Sequence, residues 1–192
     1  MEKGYIRIGG TDIRDMEQRK LHELVSFTPQ KSTLFFGTIR SNMLEGKSDA
    51  TDDEIWVALD MAQATEFIRI LPEGLDSAVE KGGGNFSGGQ KQRICIARAL
   101  LKNAFNYVFD DSFSALDFKT DGAVRSEMKG KIKEAITVIV AQRISTVMNA
   151  DMIVVLDNGK IVGSGNHETL KETNPVYHEI IDSQFYREAK VV

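Results

Sequence analysis

The chain predicts an α/β fold: a mostly parallel sheet with helices on its faces and an all-helical insertion in the middle third. Three observations carry this. Strand-like apolar runs alternate with helical stretches towards both ends of the sequence, an order that produces parallel sheets. From Thr38 to Leu71 the pattern is helical throughout. A glycine pair, Gly88-Gly89, opens an amphipathic helix that runs into a strand ending in two acids, Asp110-Asp111.

Each element has a local reason. Tyr5-Ile6-Arg7-Ile8 alternates like a strand and meets the turn Gly9-Gly10. A short helix is expected over Asp15 to Leu21, then a second strand over Leu24 to Thr28, ended by Pro29. Asp52, Asp53 and Glu54 suit the first turn of a helix whose face carries Ile55, Ala58, Leu59 and Ala62. Gly82-Gly83-Gly84 breaks the chain before the glycine-pair helix, where Ile94, Ala97 and Leu101 form one stripe. Beyond it come a strand over Tyr107–Phe109, a helix from about Lys119 to Lys133 and a strand over Ile136–Ala141. A short helix near Ser145, a strand over Ile153–Leu156 and a tail helix from Pro175 to Ala189 complete the pattern. Asn158-Gly159 is a hairpin turn into Lys160–Val162.

Composition narrows the function classes. The 192 residues suffice for one domain with a subdomain and a sizeable core. With 24 basic against 28 acidic residues and no basic stripe, a nucleic-acid surface is not expected. The single Cys95 can form no internal disulfide and reads as a packing residue in a reduced compartment. The longest apolar run, Ala135 to Ala141, is too short to cross a bilayer, so a membrane link is expected through a partner. His22, His167 and His178 show no metal-ligand spacing; His167 reads as surface, and Trp56 as a partly buried helix residue.

The chemistry concentrates in Asn85 to Leu101 and in the strand and loop downstream of it. A helix start carries unpaired N–H groups and partial positive charge, and two glycines let its backbone approach a phosphate. Tyr107-Val108-Phe109-Asp110-Asp111 then ends a buried strand in two carboxylates, an arrangement suited to nucleotide and Mg²⁺ chemistry. Ser87-Gly88-Gly89-Gln90-Lys91-Gln92-Arg93, followed by Asp110-Asp111 and Ser114-Ala115-Leu116-Asp117, resembles the signature helix, Walker B strand and D-loop of ABC transporter ATPases. The resemblance extends from Gly4 to about Leu170.

That resemblance implies a RecA-like P-loop NTPase core, ATP and Mg²⁺ as cofactors, and three segments. Residues 1–30 would be the end of an N-terminal core part, 31–103 a helical subdomain with the signature helix, and 104–192 the C-terminal core. It also implies roles. Gln30 would be the Q-loop glutamine that touches Mg²⁺ or the attacking water, and Leu34, Phe35, Gly37, Thr38, Ile39 and Asn42 resemble the exporter form of that loop. Asp110 would hold Mg²⁺ through water. Asp111 occupies the position of the usual catalytic glutamate and is one methylene shorter; misplacement on the order of 1 Å can cost about a hundredfold in rate. Gln142 stands where the switch histidine is usual; it can hydrogen-bond a phosphate but carries no proton or charge. Ser87, Gly88, Gly89 and Gln90 would act across a dimer interface on ATP held by a partner, while Ser114, Ala115, Leu116 and Asp117 link the two sites. A simple N-cap is the plain alternative for Ser87.

Asp111 and Gln142 together resemble the degenerate half of heterodimeric multidrug-type exporters. Expected partners are a second nucleotide-binding domain and transmembrane domains, with the chain on the cytoplasmic side of a membrane. In the family, the P-loop and the adenine-stacking aromatic lie upstream of the strand matching Tyr5–Ile8, so the chain is expected to start after its ATP-anchoring elements. One decoy exists: Gly46-Lys47-Ser48 ends like a P-loop, but the first glycine would fall at Ser41 and the preceding residues look helical, so an exposed turn between two helices is expected. The absent P-loop strand, which the resemblance places beside the Walker B strand, would leave an apolar sheet edge exposed. The competing function is a non-catalytic interaction fragment with no independent nucleotide binding. A soluble ABC ATPase of DNA repair or translation fits less well, since long heptad arms and a tandem second domain are missing from the sequence.

Overall fold

Gly9 and Gly10, both at left-handed φ, turn Arg7–Ile8 (β1) back antiparallel on Thr11–Asp12 (β2). The computed structural model describes residues 4–188, which fall into two compact units, Met1–Val140 and Ala141–Val192. In the first unit, the helix expected from Asp15 starts later, as Gln18–Leu24 (α1). Residues Ile13–Asp15 instead make a 3₁₀ turn whose Arg14 amide donates to the Asp12 side chain. Val25–Thr28 (β3) follows, then Gly37–Thr38 (β4) and Ile39–Leu44 (α2), Asp52–Met61 (α3) and Thr65–Arg69 (α4). Ala78–Val79 (β5) pairs antiparallel with β4, a two-residue ladder too short to have a readable period. Gly88–Leu101 (α5), Asn106–Asp110 (β6), Phe118–Lys131 (α6) and Ile136–Val140 (β7) complete the unit.

The core of this unit forms where α2 and α3 pack on α5. Ile39, Met43, Ile55, Leu59, Ile68, Ile94 and Ile96 are fully buried there, together with Phe109 of β6. The central sheet is parallel, in the order β3-β6-β7, with Phe27 opposite Val108 and Val108 opposite Val138. The strand ending at Asp110 is paired on both sides; among the described residues the open edges of this sheet are β3 and β7, so an exposed apolar edge lies one strand away from Asp110. On β7 the side chains of Ile136, Val138 and Val140 are all exposed.

The second unit begins with Ile144–Val147 (α7) and a hairpin of Ile153–Asp157 (β8) and Lys160–Gly165 (β9). Asn158 and Gly159 both take positive φ, 47° and 75°, the twist that two-residue hairpin turns require. His167–Thr173 (α8) and Pro175–Glu188 (α9) pack Leu170, Tyr177 and Ile181 against Ile153 and Val155 of β8. Among the described residues, no helix is long and apolar enough to cross a membrane.

Candidate functional site

The start of α5 is built by a reciprocal cap. Ser87 Oγ accepts from the Gln90 amide at 3.2 Å, and Gln90 Oε1 accepts from the Ser87 amide at 2.9 Å. Ser87 is therefore an N-cap, as its plainest reading held, yet it and Gly88 remain exposed, with Gly89 and Gln90 half-buried. The tripeptide lies open at a 14-residue helix start, where N–H groups and partial positive charge collect. Asn85 closes the loop before it, bonding the Glu80 amide and the Ala78 carbonyl. Arg93 ties the helix to its neighbours through the Gln63 carbonyl at 2.6 Å and stacks over Phe67 at 4.7 Å.

The acidic pair lies at the end of β6. Asp110 and Asp111 are both half-buried. Asp111 adopts φ 46° while its amide donates to the Val140 carbonyl at 2.9 Å, so the ladder continues one bond beyond the strand as the chain turns. Gln30, exposed just after β3, donates from Nε2 to Asp111 Oδ2 at 3.3 Å, across 81 residues of sequence. The buried Ser112 hydroxyl bonds the Thr28 carbonyl at 3.0 Å and holds the ends of β3 and β6 together. Gln30 and Asp111 thus meet at the end of the sheet, next to Asp110, and the two neighbouring carboxylates offer hard oxygen atoms, the kind Mg²⁺ takes. Among the described residues, no group of three or more His, Cys, Asp or Glu is placed so that it could hold a metal ion.

Downstream, Ser114 bonds the Asp111 carbonyl through its hydroxyl at 2.9 Å, and Asp117 caps α6 by accepting from the Thr120 amide. Those bonds, with the Thr120 amide first and its hydroxyl second, pull the Asp117 carboxyl below the usual range. Ala115 lies against the start of α5: a Cβ on Gly89 would approach the Ala115 carbonyl to 3.2 Å.

The family model for ABC transporters matches residues 1–114. The chain belongs to the ABC transporter family. It is 42% identical over 184 residues to an uncharacterized ABC transporter ATP-binding protein of Mycobacterium tuberculosis, covering 94% of this chain and 31% of that protein. It is 40% identical to an ATP-dependent lipid A-core flippase of Desulfotalea psychrophila, over 96% of this chain and 32% of the flippase. The fold matches a bacterial Atm1-family ABC exporter solved with ATP bound, at TM-score 0.91 and 36% identity, over 95% of this chain and 32% of the exporter chain. The α/β architecture is thus that of an ABC exporter's ATP-binding domain, and the chain spans about a third of the length of these relatives.

The remaining candidates separate within this ABC fold. Gly46-Lys47-Ser48 lies between α2 and α3 as expected: Lys47 pairs with Glu54, and a Cβ on Gly46 would clash with the Arg98 carbonyl. Gln142 belongs to the second unit, is exposed, and accepts through its carbonyl from Gln184 at 2.7 Å. His167 is a correction, since it is half-buried and its Nδ1 lies 2.8 Å from the Tyr177 hydroxyl. Trp56 is half-buried beside Arg69, and burial pushes the Cys95 thiol upward, in keeping with a packing role. Asn42 is fully buried, and both ends of its amide bond the backbone of Phe35. Sequence reasoning also passed over Gln92, a buried polar residue on α5; it lies on the side of the helix that carries buried Ile96 and Ala99, opposite the stripe of Ile94, Ala97 and Leu101.

Proposed function

We propose that this chain is the ATP-binding part of an ABC exporter and that it completes a partner domain's ATP site with the start of α5. The carrying observation is the reciprocally capped Ser87-Gly88-Gly89, an amide-lined helix end whose Ser87 and Gly88 are exposed and whose Gly89 is half-buried. Within the chain's own site, Asp110 and Gln30 would hold Mg²⁺, which supplies charge neutralisation for the phosphates when bound. Asp111 would orient the attacking water from a withdrawn position, and Gln142, matching the family's switch position, would be a neutral hydrogen-bonding group in place of histidine. Both substitutions favour slow hydrolysis in the chain's own site and support a degenerate half of an unequal pair. The chain would work on the cytoplasmic face of a membrane, joined to transmembrane domains beside the segment Gln30 to Asn42. The transported compound would be selected by those domains.

The test mixes the chain with an ABC domain that carries a P-loop and measures ATP hydrolysis. The wild-type chain is expected to raise the partner's kcat, and Ser87→Arg to remove at least about tenfold of that gain, as loss of transition-state donors does. An unchanged rate with Ser87→Arg overturns the proposal.

A further inference from the structure

Gln92 is 3% exposed, yet nothing about a helix interior requires an amide there. Both ends of that amide are spent on main chain of one distant loop. Its Oε1 accepts from the Ala115 amide at 2.9 Å, and its Nε2 donates to the Asp111 carbonyl at 3.4 Å. The loop is already closed on itself by Ser114 bonding Asp111 and by Leu116 bonding Phe113. The side chain therefore fastens a preformed turn to α5. One turn along that helix, Gly88 and Gly89 face the same residue, Ala115, and a Cβ added at Gly89 would crowd the Ala115 carbonyl at 3.2 Å.

We propose that Gln92 is a positioning residue that locks the loop Asp111–Asp117 to the helix start Ser87–Gly89, so that the two move as one body. Under the function proposed above, on which this inference rests, the two ends of that body serve different nucleotides. Asp111 faces the chain's own site, and Ser87–Gly89 faces the partner's. Gln92 would thereby pass a displacement at one site to the other without touching either nucleotide. An alkyl side chain of equal length would fill the space but strand the Ala115 amide, which is why the position takes an amide.

Two readouts test this on the full chain. Amide exchange at Ala115 is expected to quicken about tenfold in Gln92→Met, the usual consequence of losing one ordinary hydrogen bond. It should quicken less in Gln92→Glu, which still accepts from Ala115. In the mixed ATPase assay, Gln92→Met is expected to lower the partner's kcat several-fold with its KM for ATP unchanged, and Gln92→Glu to recover part of the loss. A plain packing role would instead leave Ala115 exchange within about twofold of wild type in both variants, and that result, or an unchanged kcat, overturns the lock. If the wild-type chain fails to stimulate any partner, the exporter proposal falls while the exchange arm still decides the lock. Should Gln92→Met not fold, Gln92→Glu carries the same comparison.

Discussion

At Asp111 the chain asks for a conformation that its sequence does not announce. The residue turns to φ 46° while keeping its amide on Val140, and its carbonyl collects the Ser114 hydroxyl and amide. Left-handed φ costs an ordinary L-residue about 1 to 2 kcal/mol, and a short polar side chain such as Asp or Asn bears it best. Asp111→Val is therefore expected to lower stability by about 1 to 2 kcal/mol, and Asp111→Asn by no more than about 0.5 kcal/mol, as read from urea denaturation midpoints. Equal losses for the two would mean that the carboxylate, rather than the backbone, holds the turn. Two carboxylates at a strand end were legible as a functional cue, but the strain beneath them was not, because only glycine marks positive φ in a sequence. Gln92 and Asn42 were hidden for a related reason. Each buried amide is explained by the main-chain groups it satisfies, and for Gln92 those lie 19 and 23 residues away.

Helix starts were the most readable elements. Thr51 with Glu54, and Ser87 with Gln90, are Ser/Thr-x-x-Glu/Gln boxes, and both form as reciprocal caps. The pairing of β4 with β5 was not readable, since a two-residue ladder between segments about 40 residues apart leaves no periodic trace. The same caps set an acid limit. Glu54 is held below the ordinary carboxylate range by Lys47 and then by the Thr51 amide, and Asp117 by the Thr120 amide. Asp12 is drawn down to about 2 by Arg14. A carboxyl whose folded pKa is depressed contributes its stability fully above the unfolded value, near pH 4, and loses it as the pH falls through the folded value. The thermal midpoint is thus expected to be flat from about pH 7 to about pH 5 and to fall below about pH 4, modestly, because Glu54 and Asp117 are exposed and screened. Amide exchange should quicken first at residues 52–55 and 118–121. Acid loosening that begins elsewhere and spares these two helix starts would contradict the assignment.

Across the whole molecule, alternation of strands and helices disclosed a parallel sheet but not its order, because strand order is set by long-range pairing rather than by local pattern. The order β3-β6-β7 places an open edge on β7, one strand away from Asp110. That edge is a hazard of a definite kind. Ile136, Val138 and Val140 are 66%, 49% and 51% exposed along a strand paired on one side only, a combination that templates pairing with another chain. The isolated chain is therefore expected to self-associate at concentrations on the order of tens of micromolar, seen by sedimentation velocity. Val138→Lys places a charge on the open strand at an exposed position, where substitutions usually change stability by no more than about 0.5 kcal/mol. It is expected to return the chain to monomer while the melting temperature barely moves. If Val138→Lys leaves association intact, the contact lies elsewhere, and exposed Phe27 on β3, the opposite edge of the same sheet, becomes the residue to change.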